Sequence, residues 1–311
     1  MKRVACVGIL VADVMAPVGV MPNKGELARV DSVTVHNGGN AMTAAINLHK
    51  MGVESSMIGK VGADLFGDFL RERLVANGVS ADGVKVDPDT QTSVSVVLLE
   101  GGERSFLHCV GTNATFSIDD IDWSVIEGCD LVFVTGSFLM DRFDGEETAE
   151  FLRKCKEMGK TTFLDVCWDA NGRWASVLDS AMPYIDYFMP SIDEAVNIAG
   201  CNDLEGMADT FMSKGVRNVV IKTGKTGSYM RLEGWNEGKT YPSLKGVTAV
   251  DTTGAGDSFC SGFLSAFARD LDPEECIRVG NTTGAMCVTA KGATTGIRSF
   301  DETLEFMKAH S

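Results

Sequence analysis

Short apolar runs alternate along this chain with longer stretches whose apolar residues return at helical spacing. The runs at 3–9, 55–59, 130–135, 161–165, 186–189 and 218–222 lack the inside–outside alternation of a half-exposed strand. They read as strands buried on both faces. The segments 39–51, 66–77, 145–158, 193–199, 205–214, 256–269, 273–290 and 301–309 carry the helical period. Strand–helix–strand repetition predicts an α/β fold, a parallel sheet with helices on both faces. Two regions break the rhythm, 11–36 and 90–110. Arg29–Val35 and Thr92–Leu99 alternate apolar and polar residues, and a Gly101-Gly102 turn leads into Ser105–His108. These features predict a half-exposed antiparallel sheet, a small β lid inserted at about 11–36 and 90–110. With no repeat or Pro/Ser-rich linker, residues 1–311 are expected to form one domain.

Charge narrows the partners. Lys and Arg number 28 against 43 Asp and Glu, a net −15. That field repels a nucleic-acid backbone and an anionic membrane surface, so neither is an expected partner. Small anions are not excluded, because converging backbone N–H groups outweigh net charge at contact distance. Val4–Ala12 after Met1-Lys2-Arg3 loosely imitates a signal peptide, but Asp13 ends the run early. It reads better as the first buried strand. No other apolar stretch approaches the ~20 residues that span a bilayer. The nine cysteines are scattered without a CxxC, and the four histidines show no metal spacing. Reduced, mostly buried thiols and a cytoplasmic location are expected.

The sharpest segment for chemistry is Asp251-Thr-Thr-Gly-Ala-Gly-Asp257-Ser-Phe259. Gly254-Ala255-Gly256 permits a tight bend that aims successive N–H groups at one point, and the following helix adds its positive end. This is an anion hole with the Asp257 carboxylate beside it, a placement that suits a general base. The same residues also fit an ordinary helix start with a dipole-complementing acid. Asn37-Gly38-Gly39-Asn40 opens an Ala-rich helix, and Asn40 offers both donor and acceptor to a hydroxyl. A tight strand-to-helix turn is the plainer reading. Asp13 follows the first strand, where open α/β sheets bind ligands, and an acid there can grip vicinal hydroxyls or merely form a turn. Gly224-Lys225-Thr226 resembles the end of a phosphate-binding P-loop, but position 219, where its first glycine would fall, is Val. No GxGxxG follows the first strand, so a nicotinamide oxidoreductase is not supported.

Together these segments resemble the ribokinase-like, PfkB-type carbohydrate kinases. Asp251–Phe259 is similar to that family's C-terminal signature. Gly38-Gly39-Asn40 and Gly59-Lys-Val-Gly-Ala-Asp64-Leu-Phe-Gly67 are similar to its N-terminal one. The likeness continues through Gly101–Phe106, Gly111-Thr-Asn113-Ala, Val219–Gly227 and Lys291-Gly292-Ala293. It implies a three-layer α/β/α sandwich with a mostly parallel central sheet and an inserted β-sheet lid. Asp257 would be the base on the acceptor hydroxyl, with Gly254, Ala255 and Gly256 as the anion hole for the transferred phosphoryl. Asp13, Gly38, Gly39, Asn40 and Asn113 would hold a small sugar substrate. Ser191, Lys222, Gly224, Gly227 and Asn281 would frame ATP, with Mg²⁺ bridging its phosphates and Glu194 acting on the metal indirectly. Asp251, Thr253, Ala290 and Gly292 match the positions that hold K⁺ in many members. A homodimer through the lid is expected, with Val33, Val35, Val96 and Leu98 on the apolar edge. Two departures stand out: Ser191-Ile-Asp-Glu194 replaces the usual Asn-x-x-Glu, and Thr43 stands where many sugar kinases have Asn. The expected reaction is ATP-dependent phosphorylation of a hydroxymethyl group on a ribose- or fructose-like sugar. Nucleosides and 2-keto-3-deoxy sugar acids are alternative acceptors, with Arg104 and Arg173 available to an anionic group. A non-catalytic sugar or nucleotide sensor is the alternative outside catalysis.

Overall fold

The structure, a computed structural model, describes residues 1–100 and 103–310. The apolar runs form the middle of a nine-stranded sheet: β1 (Val4–Gly8), β4 (Ser55–Gly62), β8 (Leu131–Ser137), β9 (Thr161–Val166), β10 (Tyr187–Phe188) and β11 (Asn218–Lys222). Three strands not expected from the sequence extend it: β5 (Ser80–Asp87), β12 (Gly227–Arg231) and β13 (Lys239–Pro242). The order is β13-β12-β11-β10-β9-β8-β1-β4-β5. From β5 through to β11 all neighbours are parallel, whereas β12 and β13 continue antiparallel. Alternate residues of one strand enter opposite cores. Val4 and Cys6 join Leu131, Phe133 and Phe163 on one face, and Ala5 and Val7 join Val132, Val134 and Leu164 on the other. Two buried faces explain why these strands read as unbroken apolar runs.

Helices cover both faces. The first core is closed by α1 (Asn40–Lys50), α2 (Leu65–Ala76), α9 (Ala255–Phe267) and α10 (Pro273–Cys287), with α11 (Phe300–His310) outside. The second is closed by α5 (Glu146–Glu157), α7 (Ile192–Ala199) and α8 (Leu204–Ser213). The short helices α3 (Thr112–Thr115), α4 (Trp123–Glu127) and α6 (Ala175–Leu178) fill connections. Phe163, Tyr187, Phe263 and Phe267 tie α9 to the sheet, Phe163 stacking on Tyr187 at 5.0 Å and meeting Phe267 edge-on at 5.2 Å. Each such pair contributes about 0.5–1.5 kcal/mol beyond its buried area. The start of the chain is tied to α9 as well: Lys2 N–H donates to Ala268 O (2.9 Å), and its ammonium pairs with Asp270.

A separate four-stranded sheet, ordered β3-β2-β6-β7, forms the lid from β2 (Val11–Pro17), β3 (Thr34–Gly38), β6 (Val94–Glu100) and β7 (Glu103–Cys109). Two expectations need correction. The central pair β2–β6 is parallel, so the lid is mixed rather than antiparallel. Arg29–Val33 is not strand, despite its alternation; β3 begins at Thr34 and pairs with β2 only through Gly38. Alternation alone makes no strand where no partner edge runs alongside. The expected Gly101-Gly102 turn lies outside the described residues. All nine cysteines are free, six of them buried. Among the described residues no helix is long and apolar enough to cross a membrane.

Candidate active site

The parallel strands all end on one side of the sheet, and the conspicuous polar residues gather there, as open α/β sheets require. Gly254 caps α9 in the left-handed region (φ 73°), where a Cβ would also lie 2.3 Å from Ala293 Cβ. Only glycine fits that bend. Ser258 N–H donates to Gly254 O (2.8 Å), the first bond of the helical ladder. The N–H groups before it belong to the orphan donors of a helix start. The single acid of this first turn is Asp257.

Asp257 accepts a 2.7 Å hydrogen bond on Oδ1 from the Asn40 amide, which reaches over from the start of α1. Its carboxyl is partly open to the cleft but enclosed by protein on its other sides. Burial pushes its pKa up to about 6, against the opposing pull of Lys222 and the Asn40 amide. Asp13 is similarly raised to about 6 by burial, and a hydrogen bond from Ser95 works the other way. The Asp13 carboxylate occupies the space a side chain at residue 38 would need, with Oδ2 2.2 Å from a Cβ built on Gly38. Gly38 is therefore the residue that lets the acid stand against the lid hinge.

Lys222, at the end of β11, places its ammonium 2.7 Å from both oxygens of Asp165 on β9. Both side chains are nearly inaccessible, at 11% and 2% exposed. Burial alone would lower the Lys222 pKa, but the Asp165 carboxylate outweighs it and holds the ammonium charged well above its usual range. Asp165 was not anticipated from sequence, since it sits inside an apolar run with nothing nearby to mark it. Ser191 and Glu194 form a reciprocal cap on α7, with Ser191 N–H donating to Glu194 Oε2 at 2.7 Å. Burial is the main influence raising the Glu194 pKa, with Lys222 opposing it.

Two cavities meet here. One, of ≈ 390 Å³, is lined by Asn40, Asp165, Trp168, Glu194 and Asp257 among others. The second, of ≈ 380 Å³, is a mainly apolar slot including Gly227, Val247, Phe259, Asn281 and Val288. They share Lys222, Gly224, Thr252, Ala255 and Gly256 as a common wall. Asn281 is braced toward β13, its amide donating to Tyr241 O (3.3 Å) and Pro242 O (3.4 Å). Beside the α9 start, Asp251 accepts from Thr253 N–H (2.8 Å) and Gly292 N–H (2.9 Å), joining that loop to the one containing Ala290.

Of the expected substrate ligands, Asn40 and Asp257 line the first cavity, whereas Asp13, Gly38, Gly39 and Asn113 line neither cavity. Asn113 is 1% exposed, and its amide spans one peptide, accepting from Leu10 N–H (3.3 Å) and donating to Leu10 O (3.1 Å). It clamps the β1–β2 junction rather than offering itself to a substrate. Thr43 is likewise buried, on α1.

The model of the pfkB family of carbohydrate kinases matches residues 1–299. The chain belongs to that family. As a pfkB-family kinase it is a phosphotransferase acting on a sugar hydroxyl, and kinase-named relatives agree. It is 28% identical to the aminoimidazole riboside kinase of Salmonella typhimurium, covering 88% of each chain. It is 25% identical to the ribokinase of Haemophilus influenzae, covering 99% of each. The fold matches Arabidopsis thaliana ribokinase complexed with ribose and ATP at a TM-score of 0.87, with 23% identity and 99% of each chain covered. It also matches a putative ribokinase II from E. coli in complex with ATP and Mg²⁺ at 0.85, with 23% identity and full coverage.

Proposed function

We propose that this pfkB kinase transfers the γ-phosphoryl group of ATP to a hydroxymethyl group of a small ribose- or fructose-like sugar. The observation that carries the reading is the position of Asp257, on the cleft wall beside the shared boundary of two cavities and next to the N–H groups of the α9 start. The apolar slot suits a base and ribose, and the carboxylate-lined cavity suits a polyol. In the transfer, Asp257 takes the proton of the acceptor hydroxyl while the hydroxyl oxygen forms the bond to γ-phosphorus. The bond from γ-phosphorus to the bridging oxygen breaks, ADP leaves, and Asp257 returns its proton to solvent. The first-turn N–H groups of α9 stabilise charge on the moving phosphoryl. Asp13 and Asn40, the latter also orienting Asp257, hold acceptor hydroxyls, with Gly38 and Gly39 giving them room. Ser191, Gly224, Gly227 and Asn281 frame the nucleotide, and Lys222 fixes the wall between the sites.

Mg²⁺ fits the donors present: the Asp193 and Glu194 carboxylates lining the cavity are hard oxygen groups of the kind that hold the water shell of an ion carried largely by phosphate oxygens. Glu194 and Asp193 at the cleft would hold its water shell, and the ion would neutralise phosphate charge. A K⁺ site at Asp251, Thr253 and the Ala290 and Gly292 backbone fits too, because the buried Thr253 hydroxyl lacks a hydrogen-bond partner. Free thiols throughout suit a reducing, ATP-supplied cytoplasm. The exposed apolar side chains of the lid edges, Val33, Val35 and Leu107, suit a homodimer through the lid.

The test is ADP release in a coupled assay with ATP, Mg²⁺ and K⁺, offering ribose, fructose, 2-keto-3-deoxygluconate, adenosine and inosine. Sugar-dependent ADP is expected. Binding of ATP and sugar without ADP would replace the kinase by a sensor.

A further inference from the structure

One wall of the acceptor cavity is an aromatic side chain that the transfer does not use. Trp168 lies just beyond β9, lines the same cavity as Asn40 and Asp257, and is 58% exposed. Its indole meets Trp174 edge-to-face at 5.0 Å and 81°, and Trp174 meets Phe138 edge-on at 5.5 Å and 75°. Phe138 directly follows β8, which pairs with β1, and β1 leads straight into β2 of the lid, the strand that carries Asp13. Lys222 and Gly224, assigned to the nucleotide side, form the opposite boundary of the same cavity, at and just after the end of β11 on the far side of β10.

The loop carrying this stack is fixed in place. The Asp169 side chain is fully buried and accepts from the backbone N–H groups of Asn171 (3.0 Å), Trp174 (2.7 Å) and Arg173. Arg173 then reaches back to donate to Phe138 O at 2.9 Å. An exposed indole on a pinned support is a preorganised apolar surface beside the reacting groups.

Charge defines what can lie on it. Among the described residues lining the cavity, Lys222 is the one cation, and it is paired with Asp165, while Asp193, Glu194 and Asp257 add negative charge. Arg173 is taken up by Asp141, Asp169 and the Phe138 carbonyl. No described cation lining the cavity is left for an acceptor carboxylate, and the Arg104 side chain lies outside the described residues.

We infer that Trp168 determines acceptor specificity, its open indole face receiving the apolar face of an uncharged ring. The acceptor class is then a neutral ring-form sugar or nucleoside, not an open-chain sugar acid. This rests on the kinase reading above and names the substrate class of the same site.

The experiment compares wild type, Trp168→Ala and Trp168→Phe on ribose, fructose, inosine and 2-keto-3-deoxygluconate, reading KM for acceptor and for ATP separately. Acceptor quenching of tryptophan fluorescence is measured without ATP. The Ala variant is expected to raise acceptor KM about tenfold, the Phe variant to recover most of it, and ATP KM to stay within about twofold. Quenching by the preferred acceptor is expected in wild type and lost in Trp168→Phe. An unchanged acceptor KM in the Ala variant, a shift in ATP KM instead, or the sugar acid as best acceptor overturns the role of Trp168 alone. No ADP release from any acceptor overturns the transfer reading, and the inference falls with it.

Discussion

Asp257 is asked to be both a base and a buried acid, and the two demands have opposite signs. Its pKa of about 6 leaves it ionised at neutral pH yet basic enough to take a proton. Asp257→Asn should lower kcat by about 10²–10⁴-fold, the usual worth of a general base, with ATP affinity by calorimetry nearly intact. Turnover equal to wild type would remove it from that role. Because the carboxyl is raised from 3.8 in the folded state, its charge costs stability above pH 6 and nothing below the unfolded value. The Asn variant should therefore melt no lower than wild type at pH 7, with any advantage closing between pH 6 and 4. Asp13 titrates in the same range. The acid limb of kcat/KM should centre near pH 6 and fall more steeply than the about tenfold per unit of one proton. A flat profile from pH 5 to 8 would contradict both assignments. Lys222 is a different case, a buried ion pair whose removal strands its partner. Lys222→Met should cost about 3–5 kcal/mol in urea unfolding, and the double variant with Asp165→Asn should recover part of it. Asp257 and Asn40 stood out in the sequence because glycines flag them, and Lys222 entered only through the family resemblance. Asp165 and Trp168 did neither: their meaning comes from neighbours that only the sheet order brings alongside.

At the scale of elements, legibility followed burial. The six central strands are apolar without interruption because helices cover them on both sides. β5 is an edge strand with Gly83 and exposed polar positions, and β13 is an exposed edge; β12 is buried yet shows no such run, because it is short and opens on Gly227-Ser228. All eight expected helices formed, with ends shifted by a few residues. The lid misled in direction and extent: β2 and β6 run parallel, with β3, α1, β4, α2 and β5 between them in sequence, a separation long enough for the crossover a parallel pair needs. One tie between lid and body at this scale is the Asn113 clamp on Leu10, alongside the Asp64 carboxylate that holds Thr92 just ahead of β6. Asn113→Ala would leave a buried N–H and C=O unpartnered at the β1–β2 junction, at a cost of about 1–3 kcal/mol. The predicted signature is faster hydrogen exchange in β2 with that of β9 unchanged; a uniform increase would mean that the clamp is only general stability.

For the whole molecule, the exposed apolar residues of the lid are the feature that needs a partner. Leu107 is 67% exposed on β7, and Val33 and Val35 border or lie on β3, the opposite edge of that sheet. Sedimentation equilibrium should give a dimer for the native chain and a monomer for Val35→Glu combined with Leu107→Glu. A monomeric native chain would leave the lid folded over its own body alone. The order in which the chain is completed follows from the place of β1. Its sheet neighbours are β4 and β8, and Lys2 just ahead of it is tied to Ala268 and Asp270. A ribosome-bound chain can therefore pair β1 with β4 and β8 once residue 137 is available, but the ties from Lys2 wait for the end of α9. Refolding of a chain with such distant closures is expected to be slow and multiphasic, with the contacts of Lys2 among the last to form.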